Sequence, residues 1–124
     1  MIVGLGLDLT EISRIGRLVD RWGNRFTHRV YTETERDFAF NRAVPERHLA
    51  ARFAAKEATL KALSVPSGLS WHEMEIIGGG SEAPMVVLRG NALAAADKLG
   101  VARMHLTISH DRDTAAAVVI AEAS

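Results

Sequence analysis

Residues 51 to 65 read ARFAAKEATLKALSV, and the fold class turns on whether they form one helix. Alanine, leucine and lysine are strong helix formers, and Pro45 suits a first helical turn, so the spacing predicts a helix over about Glu46 to Leu63. At roughly 100° per residue, Leu49, Phe53, Leu60 and Leu63 gather on one side, while Ala51, Ala54, Ala55, Ala58 and Ala62 gather nearly opposite. Both broad faces are apolar. Such a helix should be buried on two sides, one packing large side chains and one letting another backbone come close. Its charges are confined: Glu57 and Lys61 share one seam, Arg52 and Thr59 lie on the other, and Lys56 falls inside the Leu/Phe stripe. The plain reading makes Glu57 and Lys61 an i,i+4 ion pair worth about 0.2 to 0.5 kcal/mol. It also lets Lys56 lay its stem on apolar surface while the ammonium snorkels to water.

Upstream, Ile2 to Leu9 alternates with the period of a strand. Val3, Leu5, Leu7 and Leu9 fall on one face, and Ile2, Gly4, Gly6 and Asp8 on the other, so Asp8 projects from a face stripped by two glycines. Thr10 is expected to cap a helix from about Glu11 to Trp22, with Ile12, Ile15, Val19 and Trp22 as its apolar stripe and Gly23 as its stop. Arg14, Arg17 and Arg21 share the face away from that stripe. Thr32 and Glu35 form a capping-box pattern opening a short helix across Arg36 to Phe40. Downstream, strands are expected around Trp71 to Ile77 and Met85 to Leu88, joined by a turn over Gly78 to Pro84. Asn91 should then cap a helix that ends at Gly100. The chain closes in a hairpin, with strands of about Ala102 to Ser109 and Thr114 to Ala121 and His110-Asp111-Arg112-Asp113 between them. Helices first and mostly antiparallel strands later predict an α+β fold, a mostly antiparallel sheet packed on helices in a single domain over residues 1–124.

Composition narrows the function classes. The chain has 124 residues, 48% hydrophobic and 24% charged, the balance of an ordinary globular protein. Its 15 basic and 15 acidic residues cancel, so no net field favours nucleic acid or an anionic membrane, and an acidic partner must be met by a local patch such as the three arginines. Cysteine is absent, which excludes disulfides, thiolate metal sites and a thiol nucleophile and fits a reducing, cytoplasmic setting. Asp8 and Glu11 interrupt the apolar N-terminus short of a signal sequence or membrane span.

Two carboxylates from separate elements, Asp8 and Glu57, suffice for Mg²⁺, which prefers oxygen ligands and completes its octahedron with water and substrate phosphate. Lys61, one turn past Glu57, is placed to neutralise a phosphate leaving group or donate a proton to it. Spacing alone leaves the substrate unnamed.

The segments GLGLDLTEISRI (Gly4 to Ile15) and RFAAKEATLKAL (Arg52 to Leu63) resemble the two signatures of the 4'-phosphopantetheinyl transferases, in the spacing of their small bacterial holo-acyl-carrier-protein synthase type. SGLSWHEMEI and LTISHDRDTAAAVV are similar to that family's later segments, so the resemblance runs almost end to end. It implies transfer of the 4'-phosphopantetheine arm from coenzyme A to a serine of an apo acyl carrier protein, releasing adenosine 3',5'-bisphosphate. Asp8 and Glu57 then match the Mg²⁺ ligands, with Glu57, directly or through a metal-bound water, as the base for the serine proton. Lys61 would steady the leaving phosphate. The resemblance further puts His110 and Pro84 at coenzyme A, Arg14 and Arg21 at the acidic carrier, and the active sites between the subunits of a homotrimer. It assigns Lys56 to the motif without a role. The chain departs from the family at Leu7, often Thr or Ile, at Ser64, usually Gly, which puts the loop Ser64 to Gly68 in question, and at Glu73, commonly Asp. The rival readings are a small non-enzymatic module binding an acidic protein through Arg14, Arg17 and Arg21, and a Mg²⁺-dependent phosphate enzyme of another substrate class. A nucleic-acid binder using the same arginines is disfavoured by zero net charge.

Overall fold

The predicted long helix is present as α4, Pro45–Leu63, with proline in its first turn and Ser64 in the left-handed conformation (φ 53°) closing it. The computed structural model describes residues 1–65 and 68–124. One sheet carries β1 (Ile2–Glu11), β5 (Thr114–Ala123) and β4 (Val101–Asp111) in the antiparallel order β1-β5-β4. A separate antiparallel pair is formed by β2 (Met74–Ile77) and β3 (Met85–Leu88).

α4 lies across the larger sheet with its alanines inward: Ala54, Ala55, Ala58 and Ala62 share a core cluster with Ala117, Val119 and Ala121 of β5. The approach is so close that a Cβ on Gly4 would overlap the Ala62 carbonyl oxygen, and one on Gly6 that of Ala58. The glycine face of β1 therefore faces the core. Leu5, Leu7 and Leu9 point the other way and are 64%, 55% and 66% exposed. Val3, expected beside them, instead packs on the core, because the register shifts between Ile2 and Gly4.

The opposite face of α4 packs large side chains, as the periodicity requires. Leu49 joins Ile12, Ile15, Val30, Tyr31 and Ala39, with Phe53 packed against that cluster and its ring 5.3 Å from Trp71. These partners come from α1 (Ile12–Trp22), α2 (Asn24–Val30) and α3 (Glu33–Phe40). Both halves of the Thr32/Glu35 capping box form at α3. The short helix α2 had no counterpart in the sequence reading. It restarts directly after Gly23, and its apolar signal is only Phe26 and Val30, four apart.

Four boundaries differ from expectation. Thr10 does not cap α1: it lies in β1, and its hydroxyl donates to Asp8 Oδ2 at 2.9 Å. The strand expected from Trp71 begins at Met74, because Ser70 caps a 3-10 turn over Trp71–Glu73. Asn91 lies inside α5 (Gly90–Lys98), and a first-turn amide of this helix is met by Glu73: Oε2 accepts from the Ala92 amide at 2.9 Å. The final hairpin turn is two residues, Arg112-Asp113, with Arg112 at φ 53°, so His110 and Asp111 belong to β4.

Lys56 does not snorkel. It is 0% exposed, pairs with the equally buried Glu35 at 2.9 Å, and donates to the carbonyls of Trp71 (2.9 Å) and Met74 (2.8 Å). Its three ammonium donors thus have three acceptors. Glu35 in turn accepts from the Thr32 and Ile76 amides, both at 2.7 Å, so this pair ties α4, α3 and the start of β2 together. Burial pushes the Lys56 pKa down, and Glu35 opposes that shift.

Lys56→Met leaves a buried carboxylate unpaired and is expected to cost about 3–5 kcal/mol in urea denaturation at fixed protein concentration. Lys56→Met combined with Glu35→Gln should cost clearly less than the sum of the single changes. Gly6→Ala is expected to abolish soluble folded protein, since the added methyl meets the helix backbone rather than a movable side chain.

Candidate active site

The close contact of α4 with β1 brings Asp8, Glu57 and Lys61 together. Lys61 Nζ donates to the Leu7 carbonyl at 2.8 Å and lies 3.3 Å from Asp8 Oδ1. The expected Glu57–Lys61 ion pair is not the contact formed: β1 runs close enough to offer Lys61 two acceptors, and the lysine takes them. Glu57, half-buried, lines an open cavity of about 430 Å³ with Leu60, Lys61, Ser64 and Val65. Residues 66 and 67 of the Ser64 to Gly68 loop lie outside the described residues.

Burial, and then the negative charge of Asp8, push the Glu57 carboxyl above its usual range, while Lys61 and Arg14 pull it back. Glu57 thus faces the cavity with Asp8 close enough to act on its charge, and the lysine that Asp8 contacts is itself about half exposed. A cation entering there relieves the repulsion between the two carboxylates. Their chemistry fits Mg²⁺, which binds through one or two carboxylates and keeps waters and phosphate oxygens for its other positions. Among the described residues, no group of three or more His, Asp or Glu side chains gathers to hold a metal ion.

A second group lies elsewhere. Pro84 and His110 meet as the sequence reading paired them, lining a cavity of about 230 Å³ with Arg47, His48, Ala51, Arg52, Gly79 and Ile108. Arg47 and His48 were not singled out from sequence, and Arg52 only as a seam residue; the signal was His48 and Arg52 one turn apart on α4. Arg52 is 3% exposed, stacks over the Phe38 ring at 3.9 Å and donates through Nη2 to the Gly78 carbonyl at 2.8 Å. Its Nε is buried and has no hydrogen-bond partner among the described residues. Burial, then the charges of Arg42, Arg52, Arg47 and His110, hold the His48 pKa down, and Arg47, Arg52 and His110 line the cavity with it. Such a place suits an anion.

The two groups occupy roughly opposite faces of α4, and His48 and Lys61 are about 20 Å apart along its axis. Asp8, Glu57 and Lys61 meet; Pro84 and His110 meet; within one chain the two sets stand on different sides of the helix.

The arginines of α1 are all exposed, as expected, but they are not equivalent. Arg17 is paired with Glu11 at 3.0 Å, whereas Arg21 lies 5.0 Å from the Trp22 ring, with Arg25 of α2 at 5.6 Å from it. Arg14 is near enough to Glu57 to pull its pKa down.

Residues 4–119 match the model of the 4'-phosphopantetheinyl transferase superfamily. The chain belongs to this superfamily. It is 46% identical to the holo-[acyl-carrier-protein] synthase of Anaeromyxobacter sp. (strain K), over 98% of this chain and 97% of that one. Among solved transferase structures, it is similar to the holo-[acyl-carrier-protein] synthase of Neisseria meningitidis, with TM-score 0.83, 35% identity and coverage of 98% and 99% of the two chains. It is also similar to the Helicobacter pylori enzyme in complex with coenzyme A, with TM-score 0.82, 30% identity and coverage of 95% and 99%. The α+β architecture is therefore that of the transferases. Among the described residues, no helix is long and apolar enough to cross a membrane.

Proposed function

We propose that this transferase moves the 4'-phosphopantetheine group from coenzyme A to a serine hydroxyl of an apo acyl carrier protein and releases adenosine 3',5'-bisphosphate. The observation that carries the reading is the meeting of Asp8 with Lys61 and Glu57, the two charged residues that line one cavity, in a chain whose relatives are holo-acyl-carrier-protein synthases. A module that only bound an acidic protein would have no use for that meeting.

Glu57 takes the serine proton, directly or through a water, as the hydroxyl oxygen bonds to the β-phosphorus of coenzyme A. The bond from that phosphorus to the bridging oxygen breaks, and Lys61 meets the charge that develops on the leaving phosphate. Asp8 and Glu57 would hold Mg²⁺, which when bound supplies charge neutralisation on the diphosphate. Asp8 also keeps Lys61 aimed at the site through their 3.3 Å contact. Pro84 and His110, with Arg47 and Arg52, grip the nucleotide end of coenzyme A; the cations clustered at that cavity support an anionic group there.

Because these two sets stand on opposite sides of α4, one complete site takes the first set from one copy and the second from another. The outer face of β1 supports such an assembly. Leu5, Leu7 and Leu9 stand exposed beside half-buried Val118 and Ile120 of β5, an apolar sheet face that a second copy would cover. We take the assembly to be the homotrimer of the family and its setting to be the cytoplasm. Arg14 and Arg21 are the docking points for the acidic carrier, since Arg17 is already engaged by Glu11.

With Mg²⁺, coenzyme A and an apo carrier protein, mass spectrometry should show a phosphopantetheine-sized gain on the carrier, falling by about 100-fold or more in rate with Asp8→Ala or Glu57→Ala. No gain across several carriers would contradict the assignment. Reversing Arg14 and Arg21 to Glu should raise KM for the carrier about tenfold or more, with KM for coenzyme A little changed. Leu5→Asp is expected to shift the protein from trimer to monomer in sedimentation velocity and to remove activity with the assembly.

A further inference from the structure

The helix carrying Arg14 and Arg21 does not cap itself. Glu11 stands at the N-cap position of α1 without a side-chain cap bond, and the first turn holds no acidic residue. Its amides are served from the other end of the chain. The Asp113 carbonyl accepts from the Ile12 amide at 2.8 Å, its Oδ1 from the Ser13 amide at 2.9 Å, and its Oδ2 from the Ser13 hydroxyl at 2.5 Å. The Asp113 carboxylate also lies at the positive end of the α1 dipole.

The residue making these bonds is itself firmly placed. Asp113 is the second residue of the tight β4–β5 turn, Arg112 supplies the left-handed conformation, and Asp111 pairs with Thr114 across it. Thr114 also pairs with Glu11, so the turn and the start of α1 share one ladder. His110, which lines the cationic cavity, lies three residues before Asp113 on the same hairpin.

We propose that Asp113 is a positioning residue for carrier recognition: by clamping the first turn of α1, it sets where Arg14 and Arg21 meet the acidic carrier. The inference rests on the docking role given to those arginines above. Arg14 follows the clamped residue directly, and Arg21 lies about 10 Å further along the axis. A tilt of about 10° pivoting at the first turn displaces Arg21 by about 2 Å, enough to break a charge-assisted hydrogen bond at about 2.7–2.9 Å. Ile12 and Ile15 stay buried in the core, so loss of the clamp reorients the helix without releasing it.

The test is steady-state kinetics of Asp113→Ala, varying the apo carrier at saturating coenzyme A and then the reverse, on protein whose thermal melt shows it folded at the assay temperature. KM for the carrier is expected to rise about fivefold, with kcat and KM for coenzyme A within about twofold of the parent. Asp113→Asn, which keeps an acceptor oxygen for the Ser13 amide and offers its NH2 as a donor to the Ser13 hydroxyl oxygen, should recover most of the loss. Ser13→Ala removes the hydroxyl's contacts with Asp113 and Glu11 and keeps the amide bond; it should raise the carrier KM about twofold and carries the test if Asp113→Ala does not fold. An unchanged carrier KM in folded Asp113→Ala, an equal rise for both substrates, or failure of folded Asp113→Asn to recover would overturn the proposal. Arg14→Glu assayed in parallel separates the two levels. If Arg14→Glu raises the carrier KM and Asp113→Ala does not, only the clamp is wrong; if neither does, the docking role fails with it.

Discussion

The structure depends on the approach of α4 to β1. Gly4 and Gly6 leave no room for a Cβ against the carbonyls of Ala62 and Ala58, so helix and strand backbones meet without intervening side chains. This contact sets three other features. It turns Leu5, Leu7 and Leu9 outward, because the strand has only one other face. It rolls α4 so that Glu57 and Lys61 come up beside Asp8. It also leaves Lys61 within reach of a main-chain carbonyl, so that the lysine bonds to the strand rather than to its helical neighbour.

The three charges of α4 then separate by environment. Lys56 goes inward and becomes part of the scaffold, with Glu35 and two carbonyls consuming its donors. Glu57 stays half-buried beside a like charge, which keeps its proton easier to retain than an exposed glutamate's. Lys61 remains at the mouth of the cavity, where a mobile cation can follow charge as it develops. Adjacent residues in one motif thus divide structural and chemical roles, decided by where each falls around a helix buried on two sides.

Much of this was legible in the sequence because it depends on local pattern. The two apolar faces of α4, the capping box at Thr32 and Glu35, and the bare strand face under Asp8 follow from periodicity and side-chain chemistry. The errors arose where a distant group supplied a hydrogen bond that local reading gave to a neighbour. Asp113 rather than Thr10 serves the first α1 amides, and Glu73 rather than Asn91 serves the Ala92 amide of α5. The role of Lys56 stays open in the sequence for the same reason, since the burial of Glu35 is invisible without the tertiary fold. Asp8, Glu57 and Lys61 could be grouped from sequence, but the opposition of their cavity to that of His110 and Pro84 appears only once both are placed around α4.

That opposition is the core of the functional account, because it requires two copies of the chain for one site. The most direct test is complementation between inactive variants. Glu57→Ala spoils the carboxylate half of the site, and an Arg47→Ala/His110→Ala variant spoils the cationic half. When the two are unfolded together and refolded as a mixture, mixed assemblies should contain some interfaces in which both halves are intact. The account predicts that carrier modification rises well above the sum of the separately refolded variants. A mixture no more active than that sum, although mass spectrometry shows that mixed assemblies have formed, would contradict it.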